Sequence, residues 1–577
     1  MDMNLRSSCW LITILCFAWS PTLRADTSFW DGTDIADSGA GGLIDYLMQK
    51  QVHDALLVAL PVDLQADGLP VPTGGVCGED PISTPGTNQA GRFLNRMYTG
   101  VLQGPRGLRI PCMGGKCQYG YTLLNAFTPP EGHGSTVLID MDGNVVHSWG
   151  AGAGFRGAAK MLKGGHIISS EGGDLVQRDW CGNEVKRFAG LRNHHDHQRA
   201  PSSVGYFAPG QAADTNKGKS LSLGYFDPDI SLTSHITDVK RFYPGRDPRP
   251  IRDDVIREID WDGNVLFEWF AWEHFEQFNF DEAAEYAMDL GLNSGGCSNR
   301  VDSVEDWSHG NSVAWLGRNK WYNPKRCGEW SHQHHEKGSG KCDLRFHPDN
   351  IIADFRSLNT TIIIARHDHP DWPAEGTWLQ GDIVWQLGPD YSTAGDNGKV
   401  GQIIGQHMAY MIPDNLPGAG NILILDNGGG AGYGALIEGL EDPDTGEKLG
   451  FWPNKYRGFS RVLEINPVTK QLVWEYKQPE PTTGSALGND HLFYSNVMAG
   501  AQRLRNGNTL ITEADTGRIV EVTRDGEVVW EYAPGWLENV TGFAGSVYRA
   551  YRVPENWLPK HMKHMTCPTT PTVPTTP

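Results

Sequence analysis

One arrangement recurs along most of this chain and limits what it can fold into. Two short apolar strands, joined by a tight polar turn, appear as Ser135 to Gly150 (STVLIDMDGNVVHSWG), with Trp149 near the end of the second strand. The pattern returns at 174–188 (DLVQRDWCGNEVKRF), 257–269 (REIDWDGNVLFEW), 377–387 (TWLQGDIVWQL), 461–476 (RVLEINPVTKQLVWEY) and 518–532 (RIVEVTRDGEVVWEY). Asp-Gly and related turn residues between apolar runs signal β-hairpins. Three further hairpins lie between these: 158–170, 407–425 and 501–512. If every outer hairpin has an inner partner, the chain holds six four-stranded units. That is the pattern of an all-β, six-bladed β-propeller. Val547 to Tyr551 is expected to add a strand that helps close the ring.

The pattern divides the chain. Residues 1–25 read as a secretory signal, with Arg6, an apolar stretch from Cys9 to Ser20 and a cleavage site near Ala25. The apolar stretch is shorter than the roughly 20 residues that span a bilayer, so no membrane span is expected. Residues 26–118 carry no repeat and read as an N-terminal extension, partly helical over 42–60. The propeller is expected over 119–565, followed by a Thr/Pro-rich disordered tail, 566–577.

Export to a periplasmic or extracellular location makes the cysteines disulfide candidates. Removing the signal leaves eight of the ten. Cys112 can reach Cys117, Cys327 can reach Cys342, and the remaining connectivity is open. A net charge of −20 argues against nucleic acid and anionic membranes as partners. Any anionic substrate then needs a locally positive pocket.

Propeller geometry brings inner strands together on one axis. His194 and His195, the segment Asp306 to Ser312 containing His309 and Asn311, the pair Arg366-His367 closing an apolar strand, and Gln406-His407 all occupy expected inner-strand positions. Neighbours on a strand alternate faces, so only one of His194 and His195 should enter the channel, with His195 favoured. The bland reading of each histidine is a packed channel side chain. Asp140-Met-Asp-Gly reads as a turn and not a calcium loop, and His332 to Glu336 reads as a solvated insertion.

In these motifs, HHD, DWxHxNS, RH and QHxA in that order, the chain resembles the bacterial arylsulfate sulfotransferases over roughly Tyr119 to Pro554. The resemblance implies an exported propeller enzyme that moves a sulfuryl group from an aryl sulfate to a phenol without nucleotide or other cofactor. It implies a transiently sulfurylated His407, with His309, Arg366 and His195 as the other catalytic residues. Asn311, His194 and His367 become substrate contacts, and no metal is required. A homodimer is implied too, although residues 26–118 do not read as the small β-sandwich through which some members dimerise. Chemically the set is suitable: a sulfuryl group in flight needs fixed cationic and N–H donors, and a neutral imidazole is a competent nucleophile. No GxxxxGK loop offers a seat for a nucleotide donor. The alternative is a metal-dependent propeller hydrolase or lyase with His195, His309 and His407 as ligands.

Overall fold

The turns of the repeat come first, because they determine where each hairpin reverses. In a computed structural model of the chain, Asp140 accepts the backbone N–H groups of Asp142 and Asn144, each at 2.9 Å. Asp260 does the same for Asp262 and Asn264 at 2.9 and 2.8 Å, and Asp179 accepts from Asn183 at 2.9 Å. Each turn needs a residue of positive φ, supplied by Gly143, Gly263 and Gly182. Asp-x-x-Gly-Asn is thus a self-bonded reversal that places one strand antiparallel to the next.

The structure describes residues 106–150, 157–236, 250–280, 305–322, 343–368, 378–388, 400–428, 459–477, 493–537 and 545–560, apart from isolated positions, with a few short pieces beyond. The signal segment, the helical stretch 42–60, the 323–342 insertion with its Cys327–Cys342 pair, and nearly all of the tail lie outside them.

Six antiparallel sheets form the ring. The first blade pairs Val547–Val553 with Tyr121–Ala126, Thr136–Ile139 and Val145–Trp149. Its inner strand therefore comes from the far end of the chain and closes the circle, as expected. The other inner strands are Lys160–Leu162, Asn193–Arg199, Gly310–Trp315, Met408–Met411 and Gly500–Arg503, in blades two to six. Gly107–Ile110 adds a fifth, outermost strand to the sixth blade. In blade four the third strand is Thr360–Ile364, paired with Ile383–Leu387. The expected hairpin at 377–387 therefore supplies only its second half.

A tryptophan in the outer strand joins each of five blades to its neighbour. Trp149 Nε1 donates to the Asp179 carbonyl at 3.0 Å, Trp269 to Gly381 at 2.9 Å and Trp385 to Pro467 at 2.7 Å. Trp474 donates to Arg524 at 2.6 Å, and Trp530 to Met141 at 2.9 Å. Every acceptor lies in the strand-reversing turn of the following blade, so the last bond returns to the first blade. Blade two has Phe188 instead, edge-on to Trp261 of blade three at 6.4 Å. The repeated Trp is thus a latch: its ring fills the seam and its N–H satisfies a turn carbonyl.

Two disulfides occur among the described residues. Cys112–Cys117 closes the small loop expected, and Cys181–Cys567 ties the start of the tail to blade two.

Candidate active site

All six inner strands run the same way, so their N-terminal ends share one mouth of the channel. His407 directly precedes the inner strand of blade five, His309 directly precedes that of blade four, and His195 lies early in that of blade three. The rings of His195 and His309 are 4.9 Å apart. His195 and His309 both have positive φ, 52° and 49°, and strand register shifts close to each. Such conformations are costly for residues with a side chain and persist where the surroundings enforce them. Here they break the alternation of the strand and turn both imidazoles to the mouth.

His407 is buried, and its orientation is fixed. Nδ1 lies 2.8 Å from the Gly405 carbonyl and 2.8 Å from Asn427 Oδ1. Asn427 cannot present its amide nitrogen instead, because Nδ2 donates to the Ser495 and Met498 carbonyls, each at 2.7 Å. Both partners of Nδ1 are acceptors, so Nδ1 carries the proton and Nε2 carries the lone pair. Burial, reinforced by the positive charge of Arg356, holds the His407 imidazolium well below the ordinary histidine value. The ring is neutral at pH 7.

His309 Nδ1 is 2.6 Å from Asp306 Oδ2. Burial pushes the Asp306 carboxyl up, but His309 beside it outweighs this and keeps it below the usual range. An ionised carboxylate thus orients the imidazole. His195 Nδ1 is 2.8 Å from the Tyr548 hydroxyl; burial, with His194 and His309 nearby, keeps it neutral. His194 turns the other way: its ring stacks on Tyr225 at 3.6 Å, and Nε2 lies 2.9 Å from Asp254. Asn311 is buried beside the His407 segment, its Nδ2 3.5 Å from the Gln406 carbonyl.

Behind the histidines sits a fully buried guanidinium that spans the ring. Arg549, from blade one, donates to the Asn311 carbonyl at 2.9 Å, to the His407 carbonyl, and to the Ala499 carbonyl at 3.3 Å. Its Nη1 lies 3.3 Å from Asp196, whose other oxygen is 2.7 Å from Lys160 Nζ. One side chain thus links blade one with blades three to six, and through Asp196 with blade two. Burial pulls its proton affinity down, but Asp196 and its other neighbours outweigh this.

Two expected members are elsewhere. Arg366 follows the third strand of blade four, and Ile364 pairs with Ile351 at the end opposite Gly310. It binds Glu258 at 3.0 Å and lies over Phe267, at the other mouth. His367 is there too, 3.2 Å from Asp349 with His347 alongside. Adjacent strands run antiparallel, so cations ending neighbouring strands fall on opposite faces. The arginine at the histidine mouth is Arg356, which follows Ile351–Phe355; its backbone N–H donates to the His309 carbonyl at 2.9 Å, and its guanidinium lies near enough to lower the pKa of the His407 imidazolium. Sequence reasoning also missed Tyr548, Asp306, Asn427 and Arg549.

Among the described residues, the one group of three metal-type ligands whose donor atoms all lie within 4.8 Å of one another is His347, Asp349 and His367. The three mouth histidines are not such a group. No helix among the described residues is long and apolar enough to cross a membrane.

The fold and the site together define a six-bladed propeller with an imidazole- and guanidinium-lined channel mouth. No family model matches the chain, and no curated protein does either. Among solved structures it is similar to a protein of unknown function from Bacteroides caccae, with 11% identity, TM-score 0.34, and coverage of 76% of this chain and 100% of that one. It is also similar to the dihydro-heme d1 dehydrogenase NirN, with 9% identity, TM-score 0.24, and 76% of each chain covered.

Proposed function

We propose that this is an exported sulfuryl-transfer enzyme acting on aryl sulfates by a ping-pong mechanism through His407. The observation that carries the reading is the enforced tautomer of His407. A buried, neutral imidazole with Nδ1–H tied to two acceptors presents a free Nε2 lone pair beside His309 and Arg356.

In the first half-reaction Nε2 attacks sulfur, the N–S bond forms, and the S–O(aryl) bond breaks with its electron pair leaving on the phenolate. His309, held by Asp306, gives the phenolate a proton. Arg356 and His195 face the charge that spreads over the sulfuryl oxygens. In the second half-reaction a phenol loses its proton to His309 and attacks sulfur, and His407 Nε2 leaves with its lone pair. The elements balance without cofactor or metal, and Arg356 takes the part the sequence reading gave to Arg366.

The metal-dependent alternative is less well supported, because the donor atoms of the three mouth histidines do not all lie within 4.8 Å of one another and the Arg356 and Arg549 guanidiniums lie close to them. Periplasmic or extracellular location fits the two disulfides. Donor and acceptor are proposed as small phenolic esters and phenols. The test is release of 4-nitrophenol from 4-nitrophenyl sulfate with and without phenol, in chelator. Phenol-dependent release that survives chelation supports the reading. Release abolished by chelator, or none at all, would overturn it.

A further inference from the structure

A groove at the same mouth, between blades two and three, has no place in the chemistry above. Its volume is about 580 Å³, within the range of small-molecule pockets. Gly172, Gly173, Arg192, His194, Tyr225 and Arg252 line it. We infer that it is the aryl subsite of the sulfuryl-transfer reaction, and that it selects phenols and aryl sulfates carrying a second anionic group on the ring. The inference rests on the sulfuryl-transfer reading.

Position is the first argument. The back of the groove is the His194 ring, 4.8 Å from the ring of His195, which in turn is 4.9 Å from His309. A phenolic oxygen at those imidazoles leaves its ring directed toward the groove. Leaving phenolate and incoming phenol occupy the same place in a ping-pong exchange, so one subsite serves both.

Shape is the second. Gly173 has φ 94°, and a Cβ there would meet the Arg192 backbone at 3.3 Å, so the wall is kept thin by a residue without a side chain. The stacked pair His194–Tyr225, 3.6 Å apart and nearly parallel, gives the groove a rigid aromatic wall.

Charge is the third. Arg192 and Arg252 bracket a single carboxylate, Asp227, at 2.8 and 3.2 Å. Asp306, which also faces Arg252, and Asp254 lie deeper and are engaged by His309 and His194, so at the rim itself two guanidiniums face one carboxylate. Arg252 lies over the Tyr225 ring at 5.1 Å and contacts Asp227 through Nε, and its terminal nitrogens have no hydrogen-bond partner among the described residues. A carboxylate or second sulfate on the ring would meet that fork in bidentate fashion.

The experiment is calorimetric titration of the full-length protein with phenol and with 4-hydroxybenzoate, repeated on Arg252→Gln and Arg192→Gln, followed by acceptor kinetics with 4-nitrophenyl sulfate. Arg192 is exposed and Arg252 partly so, and neither belongs to the core, so the ring should fold in both variants. The expected result is binding of 4-hydroxybenzoate at least about tenfold tighter than phenol, with most of the preference lost in Arg252→Gln and phenol affinity unchanged. Equal affinities in the wild type, or a preference that survives both substitutions, would overturn the subsite. Preferential binding without sulfuryl turnover keeps the subsite and removes the reaction. Turnover without preference removes the subsite alone.

Discussion

At the scale of single residues, the tautomer of one imidazole decides what the mouth can do. The Gly405 carbonyl and an Asn427 whose own amide is anchored leave Nε2 of His407 as the reactive atom. His407→Ala should lower kcat/KM for 4-nitrophenyl sulfate by at least about 10³-fold while the ring still folds, read by circular dichroism, with a lowered melting temperature because a buried, hydrogen-bonded side chain is lost. Asn427→Ala, which frees the ring to flip or change tautomer, should cost about 10²-fold, mainly in kcat. The pH dependence has a definite sign. A depressed imidazole value means that the active, unprotonated form of His407 survives acidification below the ordinary value of about 6.5. No acid limb of kcat/KM attributable to His407 should appear at or above that pH. A limb there that disappears in His407→Gln but not in His309→Gln would contradict the assignment. The two arginines offer the sharpest contrast. Arg356→Ala should cost about 10²–10³-fold in kcat/KM. Arg366→Ala should leave kinetics within about threefold while lowering stability by about 1–3 kcal/mol, because Glu258 loses one of its buried partners.

At the scale of strands and turns, local signals were readable and the pairing of distant ones less so. Asp-x-x-Gly-Asn announces its own hairpin, and the outer-strand Trp of five blades announces that something must receive its N–H. The hairpins at 135–150, 174–188, 257–269, 461–476 and 518–532 therefore emerge where expected. Blade four differs because insertions separate its strands: two apolar runs, Ile351–Phe355 and Thr360–Ile364, each precede an arginine. Sequence distinguishes neither strand order nor which end faces the mouth, and choosing the second run moved the expected cation to the wrong face. The positive φ of His195 and His309 was equally invisible, since neither residue type demands it. The Trp latches are testable in isolation. Trp149→Phe should destabilise the ring by about 1 kcal/mol, read from urea midpoints, whereas Phe at position 188 already occupies the equivalent place in blade two.

At the scale of the whole molecule, ring closure turns residues hundreds apart in sequence into neighbours. Strand 547–553 completes the first blade, and Arg549 on it reaches every other blade directly or through Asp196. Arg549→Met should cost about 3–5 kcal/mol, because it strands a buried carboxylate beside Lys160 and unpairs carbonyls at Asn311 and His407. Such a hub follows only from the closed circle; Tyr548-Arg549 looks like any strand segment in the sequence. Activity depends on what that circle presents to a sulfate ester. Its most direct test is to mix the protein with 4-nitrophenyl sulfate without acceptor, quench under alkaline conditions, and map the adduct by mass spectrometry. A single added SO₃ on His407, removed by phenol with formation of phenyl sulfate, is the predicted result. An unmodified His407 in protein that turns the ester over would contradict it.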